Sequence, residues 1–298
     1  MLLARLIADL EDKPRSDVIV LFSARFDCQH DQATIDYVAK KFQVRTFTSH
    51  TRATGWPAGP NALLADSYTH CVKMGDVDSV MFIESDCVPL RKHWLDMVIN
   101  EYFECKQPVL GAYIVGSDGA NLHINGNCVV STSFHKLCPE LLIPQGVAWD
   151  AKLAPKIVPN ACPSKMIWSD YQIGTDRNPW RGVDYLFEPK HYSLPFHPLY
   201  GQTIRPAWFH GVKYPSSIYS VADRLLSEES ANLFRSVNIH DEVKIEKQAN
   251  IPSDVSKAAM AESRKTEDVF NRERMALAKD GSGRMCRYRK ITPEVATT

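Results

Sequence analysis

From Asp17 to Phe22 the chain reads Asp-Val-Ile-Val-Leu-Phe, a continuous apolar run with β-branched residues, the pattern of a strand buried on both faces. Polar residues follow it, and the spacing then predicts a helix over 32–42. Val44–Thr48 reads as a second, short strand, and 49–60, rich in Gly and Pro, as a loop. Leu63, Leu64, Tyr68, Cys71 and Val72 recur at helical spacing and predict a helix over 61–74. Ser79-Val-Met-Phe-Ile83 is the next buried strand. Trp94, Leu95, Val98 and Ile99 mark the apolar side of a helix within 89–103. Strands alternating with helices in this way predict an α/β fold with a doubly wound, mostly parallel sheet flanked by helices.

The pattern changes after Pro108. Residues 109–115 and 127–133 read as strands separated by a Gly/Asn/Asp-rich turn region, while 139–215 holds many prolines and aromatics with weak periodicity. Long irregular stretches of this kind often build substrate sites in α/β enzymes. Residues 217–234 read as a helix with Val221, Leu225, Leu226 and Leu233 apolar. Beyond Ile251 the chain is highly charged. A helix is expected over 253–279, stopped by Asp280-Gly-Ser-Gly283, and the end from Arg284 to Lys290 is basic. The expected organisation is a catalytic domain over 1–235, split into 17–107 and 108–235, followed by a charged helical extension over 236–298.

Composition narrows the function classes. Lys and Arg balance Asp and Glu at 35 each, so no global attraction to nucleic acid or to a membrane surface is built in. The eight cysteines are scattered and form no Cys-x-x-Cys pair, which argues against a zinc site and for free thiols in a reducing, cytoplasmic compartment. The first ten residues interrupt their apolar stretch with an Arg and an Asp and read as a short amphipathic helix rather than a signal peptide or a membrane span.

The chemistry concentrates in residues 59–90. A Gly-Pro-Asn turn opens a helix, the helix leads to an apolar strand, and the strand ends in Glu84-Ser85-Asp86. Ligands of open α/β sheets bind beyond the carboxyl ends of strands. Two carboxylates two residues apart at such an end can converge on one hard cation, which can then bridge a diphosphate. A pair of solvated acids, or one acid capping the next helix, is the bland alternative.

These residues resemble the GT-A glycosyltransferases, in particular the large inverting nucleotide-sugar family with its Asp-x-Asp motif, over about residues 17–213. The resemblance implies a nucleotide-sugar donor, Mn²⁺ or Mg²⁺ as cofactor, and Asp86 as the ligand that holds the donor diphosphate through the metal. Ser23, Arg25, Asn61, Glu84, Asp86 and Lys213 form the expected donor-binding set. Glu84 departs from the family by replacing the first Asp, and Thr48 and Ser49 stand where many members place a base-reading acid. Phe209-His-Gly-Val-Lys213 is similar to the segment whose His returns to the metal, so His210 is the second expected ligand. His123-Ile-Asn-Gly-Asn127 is either the family's lead into the acceptor-side strand or a tight hairpin turn. An inverting transfer needs a base on the acceptor side. Asp150 in Val147-Ala-Trp-Asp150 takes that place, with Trp149 where the family has an acid, and Asp170 and Asp184 are its rivals. The acceptor is left open among glycan, protein, small molecule and hydroxymethylated nucleic-acid base. A non-catalytic nucleotide-sugar or glycan-binding module of the same fold is the alternative reading.

Overall fold

The apolar run at 17–22 forms the middle of β1 (Arg15–Arg25), and β2 (Phe42–Ser49) pairs with it in parallel, Val20 beside Val44 and Arg25 beside Ser49. The link between them carries α2 (Gln32–Val38), capped at its start by Asp31, whose carboxylate accepts from the Ala33 N–H at 3.2 Å. The computed structural model describes residues 2–115, 122–169, 196–197, 199–212 and 215–236. These all fall in the first of the two units into which the chain divides, Met1–Asn238. The expected 253–279 helix and the basic 284–290 end lie outside the described residues.

An N-terminal helix, α1 (Leu2–Asp9), buries Leu3, Leu6 and Ile7, as its amphipathic pattern predicts. After β2 come α3 (Ala58–Met74), closed by Gly75 at φ 72°, and the short strand β3 (Ser79–Met81). Next are β4 (Cys87–Pro89), α4 (Trp94–Cys105), β5 (Val109–Val115) and β6 (Leu122–Ser131). Two single-turn helices, α5 (Trp149–Lys152) and α6 (Ala154–Ile157), precede β7 (Ala161–Pro163) and β8 (Ile167–Ser169). The two-residue strands β9 (Phe196–His197) and β10 (Gln202–Thr203), then β11 (Trp208–His210) and α7 (Pro215–Leu225), follow. No helix among the described residues is long and apolar enough to cross a membrane.

The fold is mixed α/β, but the sheets are not mostly parallel as the alternation suggested. Besides the β1–β2 pair there is a four-stranded sheet in the order β3-β6-β5-β7 and a three-stranded sheet in the order β4-β11-β8. β6 runs antiparallel to both of its neighbours, and only β7 lies parallel in that sheet. The physical reason is connectivity. Only six residues link β5 to β6, too few for a crossover connection, so the two pair antiparallel. The helix expected within 89–103 is α4, and the short strand β4 just before it was not foreseen. Pro89 has no N–H to give to a ladder, and it is tolerated because β4 is an edge strand of its sheet.

Two apolar clusters hold these layers. One gathers α1, α4, β4, β8, β11 and α7 around Leu6, Trp94, Ile167, Trp208 and Val221, with the Trp94 and Trp208 rings 4.4 Å apart. The other joins α3 to β5, β6, α5 and α6 around Tyr68, Val109, Ile124, Trp149 and Ile157. Tyr68 also donates to the Ser131 carbonyl at 2.6 Å, which ties α3 to the end of β6.

One irregularity in the four-stranded sheet positions the site. Gly111 pairs with Cys128 and Tyr113 with Ile124, so Asn125, Gly126 and Asn127 stand opposite the single residue Ala112. The Asn-Gly pair is therefore a bulge inside β6 and not a hairpin turn. Gly111 makes room for it. A β-carbon there would lie 2.5 Å from Ile124 Cγ2 and 2.9 Å from Cys128 Cβ.

Candidate metal centre

Glu84 and Asp86 sit in the link from β3 to β4, and His210 is the last residue of β11. β11 is the central strand of its sheet. His210 pairs with Cys87 on one side and with Ser169 on the other, which sets it beside the residue that follows Asp86. Gly211, at φ 131°, then turns the chain so that the N–H groups of Gly211 and Val212 donate to the Asp86 carbonyl at 3.0 and 2.8 Å. That φ is open almost solely to glycine. The backbone around both motifs is thus locked before any side chain is considered.

The side chains converge. His210 Nε2 lies 3.4 Å from Glu84 Oε2 and 3.3 Å from Asp86 Oδ2. One ligand atom from each of the three residues falls within 4.8 Å of the other two, and the group could hold a metal ion. Glu84 is exposed, Asp86 half-buried and His210 buried. Ser169 Oγ is 3.1 Å from His210 Nδ1, so the ring is held with Nε2 toward the acids. Burial alone would lower the His210 pKa. The hydrogen bonds and charges of Asp86 and Glu84 outweigh it and raise the pKa to about 9. Two carboxylate oxygens and one imidazole suit a hard or borderline divalent ion such as Mg²⁺ or Mn²⁺.

The bulge of β6 supports this group from beneath. Asn127 is buried, and its Oδ1 accepts from the Glu84 N–H at 2.9 Å and from the Cys87 thiol at 2.7 Å. Its Nδ2 donates to Glu84 Oε2 and to Asn125 Oδ1, both at 3.2 Å. Burial holds the Cys87 pKa well above its ordinary value, so the thiol keeps the proton it donates. Neither Asn127 nor Ser169 was expected from the sequence. The Asn-Gly-Asn triplet was a signal, but read locally it could not be told from a turn.

Asp150 is the second residue of α5, beside the same bulge. A β-carbon on Gly126 would lie 3.5 Å from Glu84 Oε1, 3.7 Å from Trp149 Nε1 and 3.9 Å from Asp150 Oδ2. The missing side chain thus leaves a gap fronted by both acids and the indole N–H. Burial pushes the Asp150 pKa up. His123 and the Ala151 N–H, 2.9 Å from Asp150 Oδ1, pull it down, and Glu84 adds to the rise. Trp149 is held by the second apolar cluster, its ring edge-on to Phe82.

The other expected donor-binding residues are placed differently. Asn61 is buried, and its side chain is taken up by the loop before α5. Nδ2 donates to the carbonyls of Gln145 at 2.7 Å and Val147 at 2.5 Å, and Oδ1 accepts from the Trp149 N–H at 3.4 Å. It positions Trp149 and Asp150. Ser23 and Arg25 lie at the carboxyl end of β1, where Ser23 accepts from Ser67 Oγ at 2.9 Å and Arg25 pairs with Asp27. Lys213, Asp170 and Asp184 lie outside the described residues.

Compared with known proteins, the chain matches no protein-family model and no curated protein.

Proposed function

We propose that this protein is a metal-dependent glycosyltransferase of the GT-A type that moves a sugar from a nucleotide-diphosphate donor to a hydroxyl acceptor. The observation that carries the reading is the convergence of Glu84, Asp86 and His210, with Glu84 and Asp150 both within 3.9 Å of a β-carbon placed on Gly126. Asp86, His210 and Glu84 Oε2 would hold Mn²⁺ or Mg²⁺, and the ion when bound neutralises charge on the donor diphosphate. Ser23 and Arg25 lie at the carboxyl end of a parallel strand and would contact the donor there.

Asp150 takes the proton of the attacking hydroxyl. Its raised pKa suits a general base, because proton transfer is most efficient when the pKa of the base approaches the working pH. Gly126 keeps a side chain out of the spot where the acceptor hydroxyl would meet Asp150, and Asn61, through the loop before α5, holds Asp150 beside it. Attack by a hydroxyl activated on the acceptor side inverts the anomeric centre. The test is release of nucleoside diphosphate from a panel of nucleotide sugars with Mn²⁺, with and without EDTA, and NMR of the product linkage. Metal-dependent release with inversion is expected. Undiminished release in EDTA, or retention of configuration, overturns the assignment.

A further inference from the structure

Away from the metal group, the last turn of α4 lies against β7 and the chain that leads from it. Glu101 of α4 accepts from the Lys165 N–H at 2.7 Å and the Met166 N–H at 3.2 Å, and Ser164 Oγ also donates to it. Cys105 stands four residues beyond Glu101, on the same helix face. Cys162 stands two residues before Ser164. The ladder of β5 runs through both, Cys162 beside Leu110 and the Ser164 N–H on the Gly111 carbonyl at 2.9 Å, so both point to the same side. One helical turn and two strand residues span similar lengths, roughly 6–7 Å each. The contact between Glu101 and Ser164 therefore implies that Cys105 and Cys162 are neighbours, and the Cys162 thiol adds to the rise that burial gives the Cys105 pKa, as a close neighbour does. Both are half-buried, whereas Cys71, Cys87, Cys128 and Cys138 are buried.

We propose that Cys105 and Cys162 are an oxidisable pair, a modification site at which a small disulfide closes an intramolecular bond between α4 and β7. One of the two thiolates attacks a sulfur of the oxidant, the oxidant's S–S bond breaks, and one small thiol leaves. The other thiolate then attacks the protein sulfur of the mixed disulfide and expels the second small thiol. The two cysteines lose two protons and two electrons in all, and the oxidant becomes two thiols. The bond fastens α4 to the segment that leads through Ser164 and Met166 into β8, whose Ser169 orients His210.

The test treats the full chain with oxidised glutathione, alkylates the remaining thiols, and maps the unreduced digest by mass spectrometry. The expected result is a joined pair of peptides containing Cys105 and Cys162, lighter by two hydrogens than the separate peptides and parted by dithiothreitol. In C105A the joined pair disappears and Cys162 carries glutathione instead. C162A gives the mirror result at Cys105. Wild-type protein in which both cysteines are alkylated, or each carries its own glutathione, with no joined peptide, overturns the proposal.

Discussion

His210 stands between two carboxylates and, with its pKa raised to about 9, holds a proton at neutral pH in the metal-free protein. A metal ligand must give that proton up. Below about pH 9 the apparent affinity for Mn²⁺ should therefore climb with pH, by up to about tenfold per unit, and level off above it. Calorimetry at pH 7 in two buffers of different ionisation enthalpy should register release of about one proton per ion. Equal heats in both buffers would take His210 out of the ligand group. The sign for stability is the reverse. A folded pKa above the unfolded value stabilises the metal-free protein fully below the unfolded pKa near 6.5, and that contribution is lost as pH rises through about 9. Asp150 belongs to the same scale. Asp150→Asn keeps the shape and removes the proton acceptor, so kcat should fall by about 10²–10⁴ while Mn²⁺ affinity holds. Near-normal turnover would move the base to Asp170 or Asp184. The three members of the metal group were legible in the sequence by chemical type, as an acid-x-acid pair after a buried strand and a late His. Asn127 and Ser169 were not, because a supporting residue is defined by what it touches, and touching is a property of the fold.

At the scale of elements, two glycines near one bulge have opposite duties. At Gly111 an added methyl meets Ile124 and Cys128 at 2.5 and 2.9 Å, and Cys128 Cβ cannot rotate away. Gly111→Ala should cost about 1–3 kcal/mol, measured by denaturant unfolding. At Gly126 the same methyl finds ordinary contacts of 3.5 Å and beyond. Gly126→Ala should leave stability within about 0.5 kcal/mol and metal affinity unchanged, yet lower turnover by filling the gap between Glu84 and Asp150. A variant that unfolds at Gly126, or turns over normally there, would contradict the division. The strong local patterns, β1, α3 and β5, were readable from the sequence, and β5 at 109–115 has the bounds its apolar run suggested. The three-residue strands β4, β8 and β11 were not, since three residues carry no period. The direction of β6 was lost because its apolar run suggested a start at 127, whereas the strand begins at Leu122 and the short link that forces it antiparallel was hidden.

At the scale of the molecule, the metal group joins chain segments that local structure leaves independent. The acids come from the link between two sheets, and the imidazole from the middle strand of one of them. An ion that binds only the assembled group should stabilise the whole fold. Mn²⁺ at about a hundredfold over its Kd adds about 2.7 kcal/mol. For a chain of this size that is roughly 5–10 °C in Tm by scanning fluorimetry. EDTA should abolish the rise, and Asp86→Asn should never show it. An equal rise in that variant would mean that the ion binds elsewhere.

β11 is also a matter of timing. Both acids leave the ribosome long before His210, and the strand that carries it pairs with β4 and β8, each distant in sequence from it or from one another. Contacts of such separation form late, because loops must close before they reward the chain. A nascent or truncated chain that stops short of Trp208 holds Glu84 and Asp86 without the partner that gathers them. Metal capture by this group would therefore wait for β11, and it would serve as a clock that marks when that strand has entered its sheet.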